Sequence, residues 1–158
     1  MTSTEKKEFD DTICYKVIPQ LFIGSMDAAE NYENLKENKI THILNAAGSF
    51  VQPLFTNEFT YKVFDIHDSL SEDILKYISK SNFYIDQVIE QGGSILVHCV
   101  AGISRSAAIV IAYLMHKKGL NYDDAYKLVK EKREIISPNL SFQQSLMIWG
   151  FRNSLKND

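Results

Sequence analysis

The sequence HCVAGISRS, which runs from His98 to Ser106, lies between two apolar segments and decides the fold. A short apolar run at 95–97 precedes it, and a longer one at 107–115 follows it. This pattern predicts a strand, a tight loop and a buried helix. Cys99 and Arg105 lie in the loop with five residues between them. The pattern therefore places a thiol at the end of a strand, facing the first turn of a helix, with a guanidinium beside it.

The residues of this loop suit an anion. Ala101 and Gly102 are small enough for backbone N–H groups to converge on one point, as in an anion-binding nest. The planar fork of Arg105 can hold two phosphate oxygens at once. The loop N–H groups, the helix N-terminus and Arg105 also favour the thiolate of Cys99, which is the nucleophilic form. Ser106 places a hydroxyl near the sulfur. The loop is thus predicted to bind a phosphate that the thiol attacks.

Attack by Cys99 would form a phosphocysteine that water then hydrolyses, and the leaving oxygen requires a proton from a general acid. Asp68 follows a predicted strand, in a loop just before a long helix. If that strand neighbours the one before Cys99 in a parallel sheet, their carboxyl ends meet at one edge. Asp68 is therefore the predicted acid. Asp65, expected within the strand, and Asp73, expected in the first helical turn, are the alternatives.

Periodicity along the chain predicts an α/β fold, with a central, mostly parallel sheet flanked by helices. Asp27 is the expected N-cap of the first helix, Asn121 caps the helix that follows Gly119, and Pro138-Asn139 opens the last one. The predicted strands are 16–18, 21–24, 40–47, 59–66 and 94–98, and the predicted helices are 27–39, 71–91, 106–117, one after residue 121, and one from 138 to about 151.

Bulk composition limits the possible partners. The chain has 158 residues, 45% hydrophobic and 23% charged, which suits one domain; we expect a flexible tail at 1–12 and a single catalytic domain at 13–158. The net charge of −3 argues against nucleic-acid and anionic-membrane partners. The polar N-terminus lacks a signal-peptide core, and the run at 107–115 is too short to span a bilayer. The cytoplasm is the expected location, with the nucleus left open.

The cysteines and histidines do not form a metal-binding pattern. Cys14 and Cys99 stand in different contexts, there is no CxxC pair, and the four histidines are scattered. No metal site, cofactor or disulfide is predicted, and Cys14 is expected to be a plain thiol. The segment from Lys130 to Arg133 is expected to be a solvated helix face.

The loop resembles the signature of the cysteine-based protein phosphatases, HCxxGxxR followed by Ser or Thr, and every invariant position is filled. The resemblance to the small, atypical dual-specificity phosphatases extends further, through IPQLFIGS (18–25), ITHILNAA (40–47), the Asp68 loop and the segment from Pro138 to Trp149. It implies the α/β fold of those phosphatases, no cofactor, and removal of phosphate from phosphotyrosine and from phosphoserine or phosphothreonine.

The resemblance also implies residue roles. Cys99 would be the nucleophile, Arg105 the phosphate clamp, Asp68 the acid and then the base, and Ser106 a helper in breakdown of the intermediate. His98 would hydrogen-bond the loop and support the thiolate. Backbone N–H groups that bind the phosphate would come from Val100, Ala101, Gly102, Ile103 and Ser104.

Two asparagines, Asn45 and Asn139, are candidates for bracing the loop, with a turn or cap role as the alternative for each.

Substrate class is less determined. Tyrosine-specific relatives carry an aromatic residue and Pro before the acid, whereas His67 precedes Asp68 here, and the chain has no room for their deep cleft. A shallow pocket for phosphoproteins is predicted. One alternative keeps the fold but acts on a phosphoinositide or an RNA 5′-phosphate; such relatives tend to have Lys in the loop, which is absent here. Another is a non-enzymatic phosphate-binding module, which would lose the nucleophile. The oligomeric state stays open.

Overall fold

The computed structural model describes residues 8–156, and within them the chain forms a five-stranded sheet and six helices. In chain order the elements are β1 (Tyr15–Ile18), β2 (Leu21–Gly24), α1 (Met26–Ala29), α2 (Tyr32–Glu37), β3 (His42–Asn45), β4 (Thr60–Val63), α3 (Leu75–Glu90), β5 (Ile95–His98), α4 (Arg105–Lys118), α5 (Tyr122–Lys132) and α6 (Leu140–Lys156).

The sheet has the order β1-β2-β5-β3-β4, and only β1 runs antiparallel to its neighbour. His98 at the end of β5 is level with Gly24 at the end of β2 and with Asn45 at the end of β3. Three strands therefore end together beside the predicted catalytic loop, where α/β proteins commonly bind ligands. The predicted α/β class with a mostly parallel sheet flanked by helices is confirmed.

Alternate side chains of β5 enter two separate cores. Ile95 and Val97 pack into the larger core with α3, α4, α5 and α6, whereas Leu96 packs into a smaller one with α1 and α2. Helix α4 is buried from Arg105 to Met115, as its apolar sequence predicts, and ends at Gly119, whose φ is 65°. Burial on both faces holds β5 in place, because each buried aliphatic side chain contributes about 1.5–3 kcal/mol.

The predicted helix at 27–39 is wrong as a single element. The chain forms two short helices there, and their N-caps are Ser25 and Asn31 rather than Asp27. The Asn31 side chain accepts a hydrogen bond from Asn34 N and donates one to Thr12 O. These local bonds stabilise a new helix start and so interrupt the first helix.

The predicted start of the long helix at Ser71 is also wrong, because α3 begins at Leu75. The preceding residues form turns instead: Glu72 accepts a hydrogen bond from His67 N, and Asp73 accepts one from Leu75 N. The predicted strands at 40–47 and 59–66 are shorter as well, since the chain turns after Asn45, whose side chain bonds Ala47 N and Val51 O.

The boundary of the predicted flexible tail at residue 12 lies too far along the chain. Ser25 donates a hydrogen bond to Asp11 O, and Arg133 contacts the Asp11 carboxylate at 2.7 Å, so this end of the segment is bonded to the domain. Residues 1–7 lie outside the described part of the chain. Between residues 8 and 156, no helix is long and apolar enough to cross a bilayer.

Candidate active site

The predicted catalytic loop connects the end of β5 to the first residue of α4, and its sharp turn depends on Gly102. This residue has a φ of +66°, in the left-handed region that disfavours residues with a Cβ. A Cβ here would also lie 2.6 Å from Gly24 O on β2 and 2.7 Å from the Arg133 side chain. Only glycine fits where the loop passes this close to the neighbouring strand.

The backbone of the loop is turned so that its carbonyl groups point outward. Six consecutive carbonyl oxygens accept hydrogen bonds from the surrounding protein. Their donors are His98 Nδ1 for Cys99, Met26 N for Val100, Arg133 Nη2 for Ala101, Arg133 Nε for Gly102, Ser137 N for Ile103 and Ala108 N for Ser104.

The N–H groups of the loop have the opposite environment. Among residues 8–156, no acceptor bonds the N–H groups of Val100, Ala101, Ile103 or Ser104, and Gly102 N donates to Cys99 Sγ at 3.3 Å. Outward carbonyls and unpaired N–H groups are the arrangement that binds a tetrahedral anion.

Cys99 lies at the base of this loop, and only 2% of its surface is exposed. Its sulfur lies 3.3 Å from Ser106 Oγ, which is itself buried in the first turn of α4. The Gly102 N–H, the first turn of α4 and the Ser106 hydroxyl all lie next to the sulfur. The structure therefore brings the predicted nucleophile, its predicted helper and the anion-binding backbone together.

Arg105, the first residue of α4, is largely buried. Nη1 donates to Ile66 O at 3.2 Å, which anchors the guanidinium to the end of the Asp68 segment. Nε is buried and has no hydrogen-bond partner among the described residues, so a donor remains for an anion. The guanidinium carbon lies 5.6 Å from the ring centroid of Phe50, a residue with 64% of its surface exposed. Phe50 is therefore an exposed aromatic residue next to Arg105, and the sequence pattern did not identify it as part of the site.

Asp68 reaches the rim of the loop and is held there by two donors. Ser104 Oγ donates to Asp68 Oδ1 at 2.7 Å, and Asn139 Nδ2 donates to the same oxygen at 2.9 Å. Asn139 N in turn donates to Ser104 Oγ, and Asn139 Oδ1 caps α6 through Phe142 N. Asp68 Oδ2 has no protein hydrogen-bond partner within residues 8–156. Asn139 therefore both caps α6 and holds the predicted acid, so it combines the bracing role and the cap role that the sequence leaves as alternatives.

The two alternative acids are occupied elsewhere. The Ser49 hydroxyl and backbone N–H both bond Asp65, and the hydroxyl is the main cause of the lowered pKa of that carboxyl. Asp73 bonds Leu75 N ahead of α3. The Asn45 side chain likewise bonds Ala47 N and Val51 O, so it holds the segment after β3 and makes no side-chain hydrogen bond to the predicted catalytic loop among residues 8–156.

His98 is buried beneath the loop, and burial lowers its pKa to about 4. The imidazole is therefore neutral at physiological pH, and its Nδ1 lies 2.9 Å from Cys99 O, to which it donates. His98 therefore supports the loop by hydrogen bonding as a neutral side chain.

The expectation of a solvated face at 130–133 is wrong for Arg133. This side chain is 0% exposed and bonds two loop carbonyls. The sequence spacing does indicate this burial: Ala125 and Val129 face the core, and Arg133 continues the same i, i+4 series on that face of α5. Cys14 is also buried, in the smaller core.

A groove of about 1100 Å³ lies elsewhere, between α3, the end of α4 and α6, and it is lined by residues such as Asn82, His116 and Trp149. None of the predicted site residues lines it.

The sequence profile described as the dual specificity phosphatase catalytic domain matches residues 21–152. The chain belongs to the dual specificity phosphatase family. The predicted resemblance is thereby confirmed, and the chain carries an enzyme domain of a protein phosphatase family.

Curated relatives agree with this assignment. Protein-tyrosine-phosphatase MKP1 of Arabidopsis thaliana is 40% identical over 147 residues, which is 93% of this chain and 19% of that protein. Dual specificity protein phosphatase 19 of Mus musculus is 44% identical over 128 residues, or 81% of this chain and 58% of that protein. The chain thus spans only about a fifth of the length of MKP1.

Solved structures of the family share the fold. A mouse dual specificity phosphatase, described as putative and complexed with zinc tungstate, superposes with a TM-score of 0.87 at 30% identity and covers 98% of this chain and 97% of that one. The human tyrosine phosphatase-like serine/threonine/tyrosine-interacting protein superposes with a TM-score of 0.84 at 35% identity, covering 93% of this chain and 99% of that one.

Proposed function

We propose that this chain hydrolyses phosphoproteins through a phosphocysteine intermediate, acting on phosphotyrosine and on phosphoserine or phosphothreonine. The observation that carries the proposal is a loop whose N–H groups at Val100, Ala101, Ile103 and Ser104 have no acceptor among residues 8–156, with Gly102 N at 3.3 Å from the Cys99 sulfur and Asp68 held at the rim. Family membership supports protein phosphatase activity in general; the residue roles rest on this geometry.

In the first step, the Cys99 thiolate attacks phosphorus, an S–P bond forms, and the bond to the leaving oxygen breaks. Asp68 transfers its proton to that oxygen as it leaves. Arg105 and the loop N–H groups bind the equatorial oxygens, whose charge grows in the transition state. The unpaired Nε of Arg105 is a donor available for this task.

In the second step, water attacks phosphorus, Asp68 takes a proton from that water, and the S–P bond breaks. The electron pair returns to sulfur as a thiolate, which the Ser106 hydroxyl at 3.3 Å stabilises by hydrogen bonding. Inorganic phosphate leaves, and Asp68 is again protonated for the next cycle.

Dual specificity is supported by the exposure of the site. The carboxylate of Asp68 lies at the surface beside Ser104, and Phe50 forms an exposed wall on the Arg105 side. We infer that an exposed rim of this kind accommodates short phosphoserine and phosphothreonine side chains as well as phosphotyrosine. The loop between Cys99 and Arg105 has no lysine for the extra charge of a phosphoinositide or an RNA 5′-phosphate.

The experiment compares turnover of an aryl phosphate by the wild-type chain, Cys99→Ser and Asp68→Ala. Cys99→Ser should abolish turnover yet retain binding of an inert oxyanion such as tungstate, because the loop N–H groups remain. Asp68→Ala should slow release of poor leaving groups far more than good ones, since only poor leaving groups need the proton. Turnover that persists in Cys99→Ser would refute the phosphocysteine.

The non-enzymatic alternative and the substrate alternatives have separate readouts. A similar fold occurs in a protein described as phosphatase-like and interacting, so oxyanion binding without turnover in the wild-type chain would favour a binding module. Parallel assays on phosphotyrosine and phosphothreonine peptides, phosphoinositides and triphosphate-ended RNA then identify the substrate class. Faster turnover of lipid or RNA than of either peptide would reject a phosphoprotein substrate.

A further inference from the structure

Arg133 occupies an unusual position for a charged residue, because its guanidinium is fully buried directly behind the phosphate-binding loop. Nε donates to Gly102 O at 2.9 Å, and Nη2 donates to Ala101 O at 3.0 Å. One side chain therefore binds two of the six outward-facing carbonyls.

These two carbonyls control where two N–H groups point. A peptide unit is planar and trans, so the C=O of one residue and the N–H of the next point in opposite directions. Holding Ala101 O outward aims Gly102 N–H inward, and holding Gly102 O outward aims Ile103 N–H inward. Gly102 N already meets Cys99 Sγ at 3.3 Å, which shows the direction of the first of these groups.

The flexibility of Gly102 makes this restraint necessary. Glycine populates positive and negative φ about equally, so the two peptide units that flank Gly102 could rotate if nothing held them. Its φ of +66° is the conformation in which both carbonyls meet Arg133. A cation on the carbonyl side also polarises both peptide units and strengthens their N–H groups as donors toward an anion.

Arg133 is itself held by the segment at the N-terminal side of β1. The Asp11 carboxylate lies 2.7 Å from Nη2 and supplies the opposite charge. The guanidinium carbon lies 5.3 Å from the ring centroids of Phe9 and of Tyr15, and these two rings stack on each other at 5.8 Å. Phe9, Asp11 and Tyr15 are termed the N-terminal clamp below.

We propose that Arg133 is a positioning residue for the phosphate-binding loop and that the N-terminal clamp holds it in place. Arg133 keeps the Ala101 and Gly102 carbonyls turned outward, so that the Gly102 and Ile103 N–H groups meet the sulfur and the phosphate oxygens. The inference rests on the proposed function, because it explains how the same loop is kept ready to bind phosphate.

The test combines three variants with two independent measurements. Arg133→Lys keeps the charge but loses the planar fork that reaches both carbonyls and Asp11. Arg133→Met keeps only the approximate volume, and Asp11→Asn keeps an acceptor but removes the counter-charge. The two functional measurements are tungstate affinity by calorimetry and the kcat and KM for an aryl phosphate. The midpoint of thermal unfolding reports the stability of each variant.

A matched control separates loop effects from general loss of stability. Tyr113→Phe removes a partly buried hydrogen bond from α4 to Asp86 on α3, and neither residue bonds the loop. It should lower the thermal midpoint without changing tungstate affinity. Arg133→Lys should weaken tungstate binding and kcat/KM by about tenfold, Arg133→Met by more, and Asp11→Asn by a few-fold, the tenfold loss being that of one charge-assisted hydrogen bond.

The outcomes distinguish this inference from the proposed function. If Arg133→Lys or Arg133→Met folds and binds tungstate within twofold of wild type, the positioning role of Arg133 is overturned and the proposed function is not. Where neither Arg133 variant folds, unchanged tungstate affinity in Asp11→Asn overturns it. A wild-type chain that binds tungstate but turns over no phosphate ester would refute the proposed function, while weakened binding in the variants would still support the positioning role.

Discussion

At the scale of single residues, Gly102 shows most directly how backbone geometry constrains the site. Gly102→Ala combines a positive φ with a Cβ that would meet Gly24 O at 2.6 Å, and that atom belongs to a buried strand that cannot shift. We predict a loss of about 2–5 kcal/mol in the free energy of unfolding, from strain and overpacking together. Loss of aryl phosphate turnover should accompany it. Urea denaturation measures the first effect and a steady-state assay the second.

Gly119 is the matched control for this prediction. Its φ is +65°, almost the same as that of Gly102, but a Cβ there would meet nothing within 4 Å. Gly119→Ala should therefore lose only the strain of about 1–2 kcal/mol and keep full activity. Equal stability losses in the two variants would show that contact with β2 does not constrain the loop.

The same scale separates residues that local sequence reveals from those that it hides. Cys99 and Arg105 were identifiable because their spacing and their place between strand and helix are local properties of one segment. For Arg133, the preceding run of charged residues predicts a solvated side chain, whereas the structure buries it. Its burial depends on Asp11, far away in the sequence, and only folding brings the two together.

At the scale of elements, the start of α6 links helix capping to the predicted acid. Asn139 Oδ1 accepts from Phe142 N, while Asn139 Nδ2 donates to Asp68. Asn139→Ser should retain the cap and lose the donor, so stability stays within about 0.5 kcal/mol while turnover of poor leaving groups falls about tenfold. Asn139→Ala should lose about 1 kcal/mol as well. Denaturation curves and rates on alkyl and aryl phosphates distinguish the two effects.

Asn121 provides the control, since it caps α5 through Asp124 N and lies outside the site. Asn121→Ala should lose similar stability with no change in either rate. Equal losses on good and poor leaving groups in Asn139→Ser would contradict the link between this cap and Asp68.

Element types were predictable, whereas several boundaries were not. The strand and helix around Cys99 follow from continuous apolar runs, which only burial on all sides explains. The starts of α2 and α3 depend on side chains that compete with the helix for backbone groups. Asn31 opens a new helix, and Glu72 and Asp73 bond backbone N–H groups ahead of Leu75. Hydrophobic periodicity is a property of several turns of helix, so it does not reveal a helix start that a single side-chain hydrogen bond determines.

At the scale of the whole molecule, burial of His98 makes stability depend on pH. Its pKa is about 4 in the folded chain, against 6.5 when exposed, so the unfolded chain binds more protons between these values. The free energy of unfolding should therefore fall as the pH falls from 6.5 to about 4, by up to about 3 kcal/mol, with no further loss from this group below pH 4. Urea denaturation at a series of pH values measures the slope.

The pH effect can be assigned to His98 by substitution. His98→Asn retains a side-chain donor for Cys99 O but does not titrate, so its slope over this window should be shallower. Burial also lowers the pKa of His42, which contributes in the same direction in both proteins. Identical slopes for wild type and His98→Asn would contradict the assignment.

The sequence by itself determined the fold class and the family and predicted the catalytic loop, because each follows from contiguous apolar runs, spacings and signature residues. Tertiary structure decided which of three aspartates reaches the loop, which side chains turn its carbonyls outward, and that Asn139 serves both a helix and Asp68. Those outcomes depend on contacts between segments far apart in the chain. Arg133 is the clearest case: its side chain belongs to a charged run, and the packing of Asp11, Gly102 and two aromatic rings around it places that charge behind the predicted catalytic loop.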